Sequence, residues 1–485
     1  MAVARHKVDA RPDTVAPVLY AKQCGTQAEA SSTAYHGHFT GKLRQHRRVA
    51  IRGRQREECP SSREQCRAPG APSASPSPPP NGGIKAWLQV VGAFFFVFNT
   101  WGMANSFGVF QAYYETTLIP DSTASAISWI GSIQGFLQLF VGVFCGRAFD
   151  AGYFYLLGSL GIFLSVFGVM MTSLASEYWQ LFLAQGLCLG LGTGCLFTPS
   201  IALVGQYFST RRSLATGIAA CGSTVGGIIY PIAVKRLIDS VGFPWAVRAM
   251  GFIMLGTLLF GFALLKPRLP PRKSGPIVDI TAFTDMTYSS FVVGLAFGFL
   301  AFFIPFFYSE SFALNIGVGG DLSFYLLSIM NAASMFGRIL PTALADKIGN
   351  LNTIVPCAYI SGAVVLAWIS VKSQGGLFAA AVIYGFFSGS IMALPAAILA
   401  ALSPSLNQIG TRIGMALTIG SIGVLLGSPI AGAILTLQSD ASRVGEKGAL
   451  DFSGALTFTG SALLLCAILM TMTRFSKAGL TLRKV

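Results

Sequence analysis

The sequence predicts an all-α membrane protein: twelve transmembrane helices in two six-helix halves, behind a disordered N-terminal tail. Three observations predict it. Of the 485 residues 53% are hydrophobic and 11% are charged, where soluble domains carry about 25% charge. Uncharged apolar runs of ~20 residues recur from Trp87 to Thr473. Runs of that length cross ~30 Å of hydrocarbon as helices, whereas a β-barrel shows alternating strands of ~10 residues. Landmark residues also recur at a near-constant separation along the chain. A soluble enzyme, a disordered regulator and a secreted disulfide scaffold are disfavoured by composition.

The tail comes first. Fourteen of the 34 Lys and Arg lie in residues 1–86, with all four His (His6, His36, His38, His46) and Cys24, Cys59 and Cys66. The stretch 68–80 reads APGAPSASPSPPP. Such a Pro/Ser run buries too little apolar area to fold, so residues 1–80 read as a solvated, basic cytoplasmic tail. Its charge would suit anionic lipid or nucleic acid; the solvated tail is preferred, and no nucleic-acid partner is expected. The other six Cys sit singly in apolar stretches without a CxxC pair. No metal or cofactor is expected.

The helices follow in order. The first half, 81–265, places spans at 87–110, 126–146, 153–173, 178–200, 214–234 and 245–265. A central loop, 266–284, carries Lys266, Arg268, Arg272 and Lys273. The second half, 285–473, places spans at 285–308, 322–340, 352–371, 377–401, 414–437 and 452–473, and 474–485 is a short tail. Each run is long enough to cross at 1.5 Å per residue, and helices are required because lipid offers backbone groups no other partner. Helices 4, 5 and 11 carry small residues at helical spacing, among them Gly190, Gly194, Gly222, Gly226, Gly423 and Gly427. These let backbones approach closely.

Orientation follows from Lys and Arg. With both termini inside, the inner loops and C-tail hold fourteen, among them Arg147, Arg211, Arg212, Arg338, Lys347 and Arg412. The outer loops hold six: Lys235, Arg236, Arg248, Lys372, Arg443 and Lys447. A multi-pass protein of the plasma membrane with cytoplasmic termini is expected.

The repeat is read from four pairs. Asp150 and Asp346 are 196 residues apart, as are Pro199 and Pro395; Gly217 and Gly414 are 197 apart, and Pro231 and Pro429 are 198 apart. Four pairs in register, split by a basic loop, indicate duplicated parallel halves, the plan on which the major facilitator fold is built.

Some motifs carry mechanism. Gly146-Arg147-Ala148-Phe149-Asp150 follows helix 2, and Ala345-Asp346-Lys347-Ile348-Gly349 follows helix 8. Both resemble the Gly…Asp…Gly signature of major facilitator transporters. An Asp there can accept from the N-terminus of a neighbouring helix and pair with an Arg, holding one conformation. A plain helix cap is the alternative. Asp150, Asp346, Arg211 and Arg212 are the expected gating residues.

Two further segments point to a family. Asn81-Gly82-Gly83-Ile84-Lys85-Ala86-Trp87 leads into helix 1, and Tyr207-Phe208-Ser209-Thr210-Arg211-Arg212-Ser213-Leu214-Ala215-Thr216-Gly217 leads into helix 5. They resemble paired segments of the monocarboxylate porter family, and Phe107 to Gln111 and Asn331 to Gly349 look most like its fungal branch. The resemblance spans about residues 81–475. It implies transport of small organic acids with protons, or export of secondary metabolites. Three departures stand out. Asn81 replaces an Asp. Asn105 stands where proton-coupled carriers have a Lys in helix 1. Ser334 stands where they have an acid one turn before the helix 8 Arg, which remains as Arg338.

Apart from Arg338, the central parts of the spans lack Asp, Glu, Lys and His. The usual proton relay is missing. By the resemblance, helices 1, 4, 7 and 10 line the cavity, offering Asn99, Asn105, Gln185 and Tyr384 beside Arg338 as substrate-binding residues. Trp101, Phe303, Phe306 and Phe387 add aromatic surface. Each residue has an alternative role in packing, and Arg338 either binds an anionic group or pairs with Asp346.

The expected function is a secondary-active transporter working by alternating access on a small-molecule substrate in a lipid bilayer. Efflux of a secondary metabolite is preferred over proton-coupled uptake of a monocarboxylate, with protons left as an optional coupling ion. A membrane-embedded enzyme is disfavoured because the helical region contains no His. A non-transporting sensor is disfavoured by the short C-tail.

Overall fold

A computed structural model describes residues 79–271, 279–404, 408–442 and 451–479. Nearly all of the expected tail, together with Arg272, Lys273, Arg443, Lys447, Arg483 and Lys484, lies outside the described residues. Backbone in hydrocarbon can bond only to itself, so each apolar run winds into a helix. Among the described residues these are α1 Ile84–Leu118, α2 Ala126–Asp150, α3 Phe154–Thr172, α4 Tyr178–Tyr207, α5 Arg212–Val241, α6 Phe243–Leu264, α7 Met286–Asn315, α8 Gly320–Ile348, α9 Asn350–Trp368, α10 Gln374–Leu402, α11 Ile409–Gln438 and α12 Ser453–Ala478. Eleven of them are apolar enough to cross a membrane by length and composition. The twelfth, α8, is more polar. Its Ser323, Asn331, Ser334, Arg338 and Thr342 recur at helical spacing and are buried in the protein, away from the lipid side.

Several helices outrun the expected spans. Lys235 and Arg236, placed in an outer loop by hydropathy, occupy the last turns of α5, and Arg248 lies inside α6. Asp150 is the last residue of α2, Asp346 lies inside α8, and Arg412 is in the first turn of α11. Hydrocarbon thickness accounts for ~20 residues, whereas a 30-residue helix such as α5 is ~45 Å long. The extra turns reach the polar zones, where charge is tolerated.

Proline and packing set the irregularities. α7 breaks at Phe303, just before Pro305, and α10 breaks at Leu394, just before Pro395. Pro199, Pro231 and Pro429 lie inside α4, α5 and α11. Each lacks the N–H that would close the helical turn. α4 also widens into a π-turn at Phe182–Cys188. Cys145 and Cys195, expected to sit singly, lie 3.7 Å apart between α2 and α4.

Buried apolar side chains form two main cores. One draws Phe96, Phe110, Phe154, Leu196 and Met250 from α1 to α6. The other lies mostly in α7 to α12 around Phe291, Trp368 and Tyr384, and takes in Trp101 and Leu139. Equivalent close approaches recur in both. A Cβ on Gly226 would lie 2.5 Å from the Phe98 carbonyl oxygen, and one on Gly423 would lie 2.4 Å from that of Ala296. The glycines are 197 residues apart and their partners 198, so α5 seats on α1 as α11 seats on α7. Between the two sets, α5 packs on α8 and α2 packs on α11. Large apolar side chains such as Phe163, Trp179 and Phe252 point outward, which is the pattern expected of a protein solvated by lipid.

Candidate functional site: a cavity between the helix sets

A cavity of about 310 Å³ lies between the two sets of helices. It reaches from Trp101 and Phe299, midway along α1 and α7, to Asp150, Arg212 and Arg268 at the face where α1 begins and α12 ends. Its wall is largely apolar, with Leu139, Phe197, Ile201, Met392, Ile413 and Leu417 contributing. Trp101 is held by its neighbours: its ring stacks on Phe303 at 5.5 Å and meets Phe197 edge-on at 5.7 Å. A second space of about 810 Å³ lies at the same face, lined by Arg212, Ser213, Asp346, Asn350 and Lys477.

The sequence-predicted binding residues Asn99, Asn105, Gln185, Arg338 and Tyr384 are not on the wall of the 310 Å³ cavity. Asn99 is buried, donating to Phe95 O (2.7 Å) and Thr257 Oγ1 (2.9 Å) and accepting from the Tyr230 hydroxyl at 2.6 Å. Gln185 Oε1 accepts from the Tyr114 hydroxyl at 2.6 Å. The Tyr384 hydroxyl donates to Phe302 O at 2.8 Å, at the break before Pro305. Each of these three ties one helix to another.

Asn105 and Arg338 do come together. Asn105 Nδ2 donates to Ser223 O at 3.4 Å. Arg338 Nη1 donates to Ala220 O at 2.7 Å and to the Ser223 hydroxyl. Ser223 of α5 therefore joins a helix 1 amide to a helix 8 guanidinium. Arg338 is 4% exposed, and its Nε has no hydrogen-bond partner among the described residues. Sequence reasoning passed over Ser223, because a serine among small helix 5 residues carries no distinguishing signal.

The gating residues divide in the same way. Asp346 accepts from the Ser213 and Leu214 backbone N–H groups at 3.1 and 3.0 Å, at the N-terminus of α5. Unbonded N–H groups and the helix dipole both favour an anion there. Asp150 is its counterpart on α2: Oδ2 lies 2.7 Å from where a Cβ on Gly410 would stand, at the start of α11. Arg211 is exposed just before α5, whereas Arg212 is half-buried and lines both spaces.

The two family segments bind each other. Asn81 Oδ1 accepts from the N–H groups of Ser209 (2.6 Å) and Thr210 (3.0 Å), and Trp87 meets Phe208 edge-on at 5.1 Å. An Asn side-chain oxygen accepts as an Asp oxygen does, so this departure keeps the contact. Sequence reasoning missed one pair. Asp279, before α7, is 3.4 Å from Arg412 Nε. The Thr281 hydroxyl, with Arg412 beside it, holds the Asp279 carboxyl below its ordinary value. One acid next to a basic loop was the available signal.

Comparison with known proteins adds to this geometry. Residues 88–376 match the model of the Major Facilitator Superfamily. The chain is 43% identical to the MFS-type transporter dbaD of Emericella nidulans, over 80% of this chain and 86% of that one. It is 36% identical to the aspyridones efflux protein apdF of the same fungus, over 86% and 83%. Among solved structures it superposes on the human organic anion transporter MFSD10 with a TM-score of 0.61 at 15% identity, covering 80% of this chain and all of that one.

Proposed function

Because the chain belongs to the major facilitator superfamily, we propose that this transporter exports a small organic product of secondary metabolism by alternating access. The observation that carries the proposal is the cavity between the helix sets, apolar along its wall and charged at one end. Such a space suits an amphipathic small molecule, and the aspyridones efflux protein is a relative over most of its length. The face with Arg212 and Arg268 is read as cytoplasmic and the membrane as the plasma membrane, in keeping with the Lys and Arg distribution.

Assignment to the monocarboxylate porter branch rests on the segments around Asn81 and Tyr207 and on their mutual contacts. Arg338 and Asn105, joined through Ser223, are the candidate specificity pair. Asn99, Gln185 and Tyr384 support the same region by fixing its helices. Asp150, Asp346, Arg211 and Arg212 are the proposed gate. Proton coupling is optional, since no acid precedes Arg338 by one turn.

The test is metabolite profiling of the source organism with the gene deleted and restored. Export predicts that at least one product moves from medium to cells on deletion and returns on complementation. A compound depleted from cells and left in the medium on deletion would establish uptake instead. A protonophore applied to the complemented strain should leave most of the export in place.

A further inference from the structure

Among the described residues the Arg212 guanidinium has no hydrogen-bond or ion-pair partner. It lies against Gly205 of α4, where a Cβ would stand 2.9 Å from Nη2, and only the Arg212 carbonyl is bonded, accepting from the Thr216 hydroxyl. Arg268, the second cation on the cavity, is anchored by a bond from Nη1 to Gln206 O at 2.8 Å. Asp150 supplies one carboxylate against these two guanidiniums. The charged end is therefore net positive.

The other end is aromatic. Trp101, Phe197 and Phe299 face the same space. Trp101 Nε1 and Thr198 Oγ1, on residues 3% and 8% exposed, have no hydrogen-bond partner among the described residues. A buried donor is normally satisfied by protein, water or ligand. The span between the ends follows from α4: Phe197 touches Trp101 and Gly205 touches Arg212, and eight residues of helix rise about 12 Å.

We propose that this cavity is a binding site for an elongated aromatic compound carrying one anionic end. Its ring system lies against Trp101, Phe197 and Phe299, and its anion binds Arg212, with Arg268 adding charge. Arg338 then has no direct part in holding the anion in this conformer, where it is bonded to α5. The inference rests on the reading of the chain as a transporter of small organic molecules and names the class that one conformer takes.

The experiment measures equilibrium binding to purified full-length protein in nanodiscs, with empty nanodiscs subtracted, so it does not depend on the direction of transport. The probes are 6-(p-toluidino)-2-naphthalenesulfonate and its uncharged parent amine, which share one aromatic body. Wild type should bind the sulfonate saturably. Arg212→Gln should weaken the sulfonate about tenfold, the loss of one charge-assisted contact, and the amine less than twofold. Arg212→Lys should fall between, because the ammonium keeps the charge and loses the planar fork. Trp101→Ala should weaken both probes alike. Equal losses of sulfonate and amine in Arg212→Gln would assign Arg212 to gating alone and overturn the proposal. Absence of saturable sulfonate binding by wild type would overturn it too, whatever the metabolite profiles show about export.

Discussion

The α5–α8 and α2–α11 seams occupy equivalent positions in the repeat and are built differently. Along α5–α8 polar contacts run from end to end. Asp346 meets the start of α5, Arg338 holds Ala220 and Ser223, Asn331 Nδ2 donates to Gly227 O at 3.4 Å, and Lys235 lies 4.1 Å over the Phe324 ring. Along α2–α11 the Asp150 carboxylate stands against Gly410 at one end, while between the ends small residues meet aliphatic ones, Gly414 against Val143 and Gly135 against Val424, and the cavity borders the seam. Polar contacts with fixed geometry define one register, whereas apolar contacts slide at low cost. The repeat thus yields one indexed seam and one compliant seam, and the compliant one lies beside the proposed binding space.

The largest expected effect separates the seams by size alone. A Cβ on Gly217 would stand 2.4 Å from Arg338 O, while one on Gly414 would stand 3.2 Å from the Val143 Cα. Gly217→Ala should therefore cost about 1–3 kcal/mol, the range for overpacking, and Gly414→Ala less than about 1 kcal/mol. Thermal unfolding of the purified variants checks this, and equal losses would erase the distinction.

The next effect is electrostatic. Asp346→Asn keeps one acceptor oxygen but loses the charge at the α5 N-terminus, worth about 0.3–1 kcal/mol. The conformer described here should be depopulated by up to about fivefold. Asp150→Asn should shift it less, because the α2–α11 seam is compliant. Alkylation of Thr198→Cys, on the cavity wall, reads the change as slower labelling. A larger slowing from Asp150→Asn would reverse the assignment of the seams.

An effect of comparable size is expected at Ser223. Ser223→Ala removes one bond from Arg338 and leaves the one to Ala220 O, a loss of about 0.5–1.5 kcal/mol. If that bond indexes the indexed seam, labelling of Thr198→Cys slows modestly, and Gly414→Ala in the same background adds to it without coupling.

The smallest effect lies at the base of α11. Asp279 has its carboxyl pKa lowered by the Thr281 hydroxyl and Arg412. A lowered pKa contributes stability that is complete above the unfolded value of about 3.9 and is lost as pH falls through the folded value. Asp279→Asn should lower the unfolding temperature slightly at pH 7, with the difference from wild type narrowing below pH about 4. A difference that grows on acidification would show that the pair does not act this way.

Much of the architecture was legible in the residues. Apolar runs gave the helices, and the offsets of Asp150, Pro199, Gly217 and Pro231 to their partners gave the repeat that Gly226 and Gly423 display in packing. Helix ends were less legible. Lys235, Arg236 and Arg248 read as loop residues because hydropathy stops at the edge of hydrocarbon while the helix continues. The site was legible in part. Arg338, Asn105, Asp150 and Asp346 stood out by chemistry and spacing, but their partners Ser223, Ala220, Ser213 and Gly410 did not.

Determined by the sequence alone were the twelve helices, their pairing into a repeat and the scarcity of buried charge, because in lipid a backbone has one way to satisfy itself and every charge has a cost. Only the tertiary structure decided that Asn99, Gln185 and Tyr384 bond to neighbouring helices, that Asn105 and Arg338 share Ser223, and that Arg212 lines the cavity. A polar side chain on an apolar helix has the same sequence signature whether it faces a ligand or another helix. Which one it meets depends on the rotation of each helix about its axis, and that is set by the close contacts of glycines and aromatic rings across helices far apart in the chain.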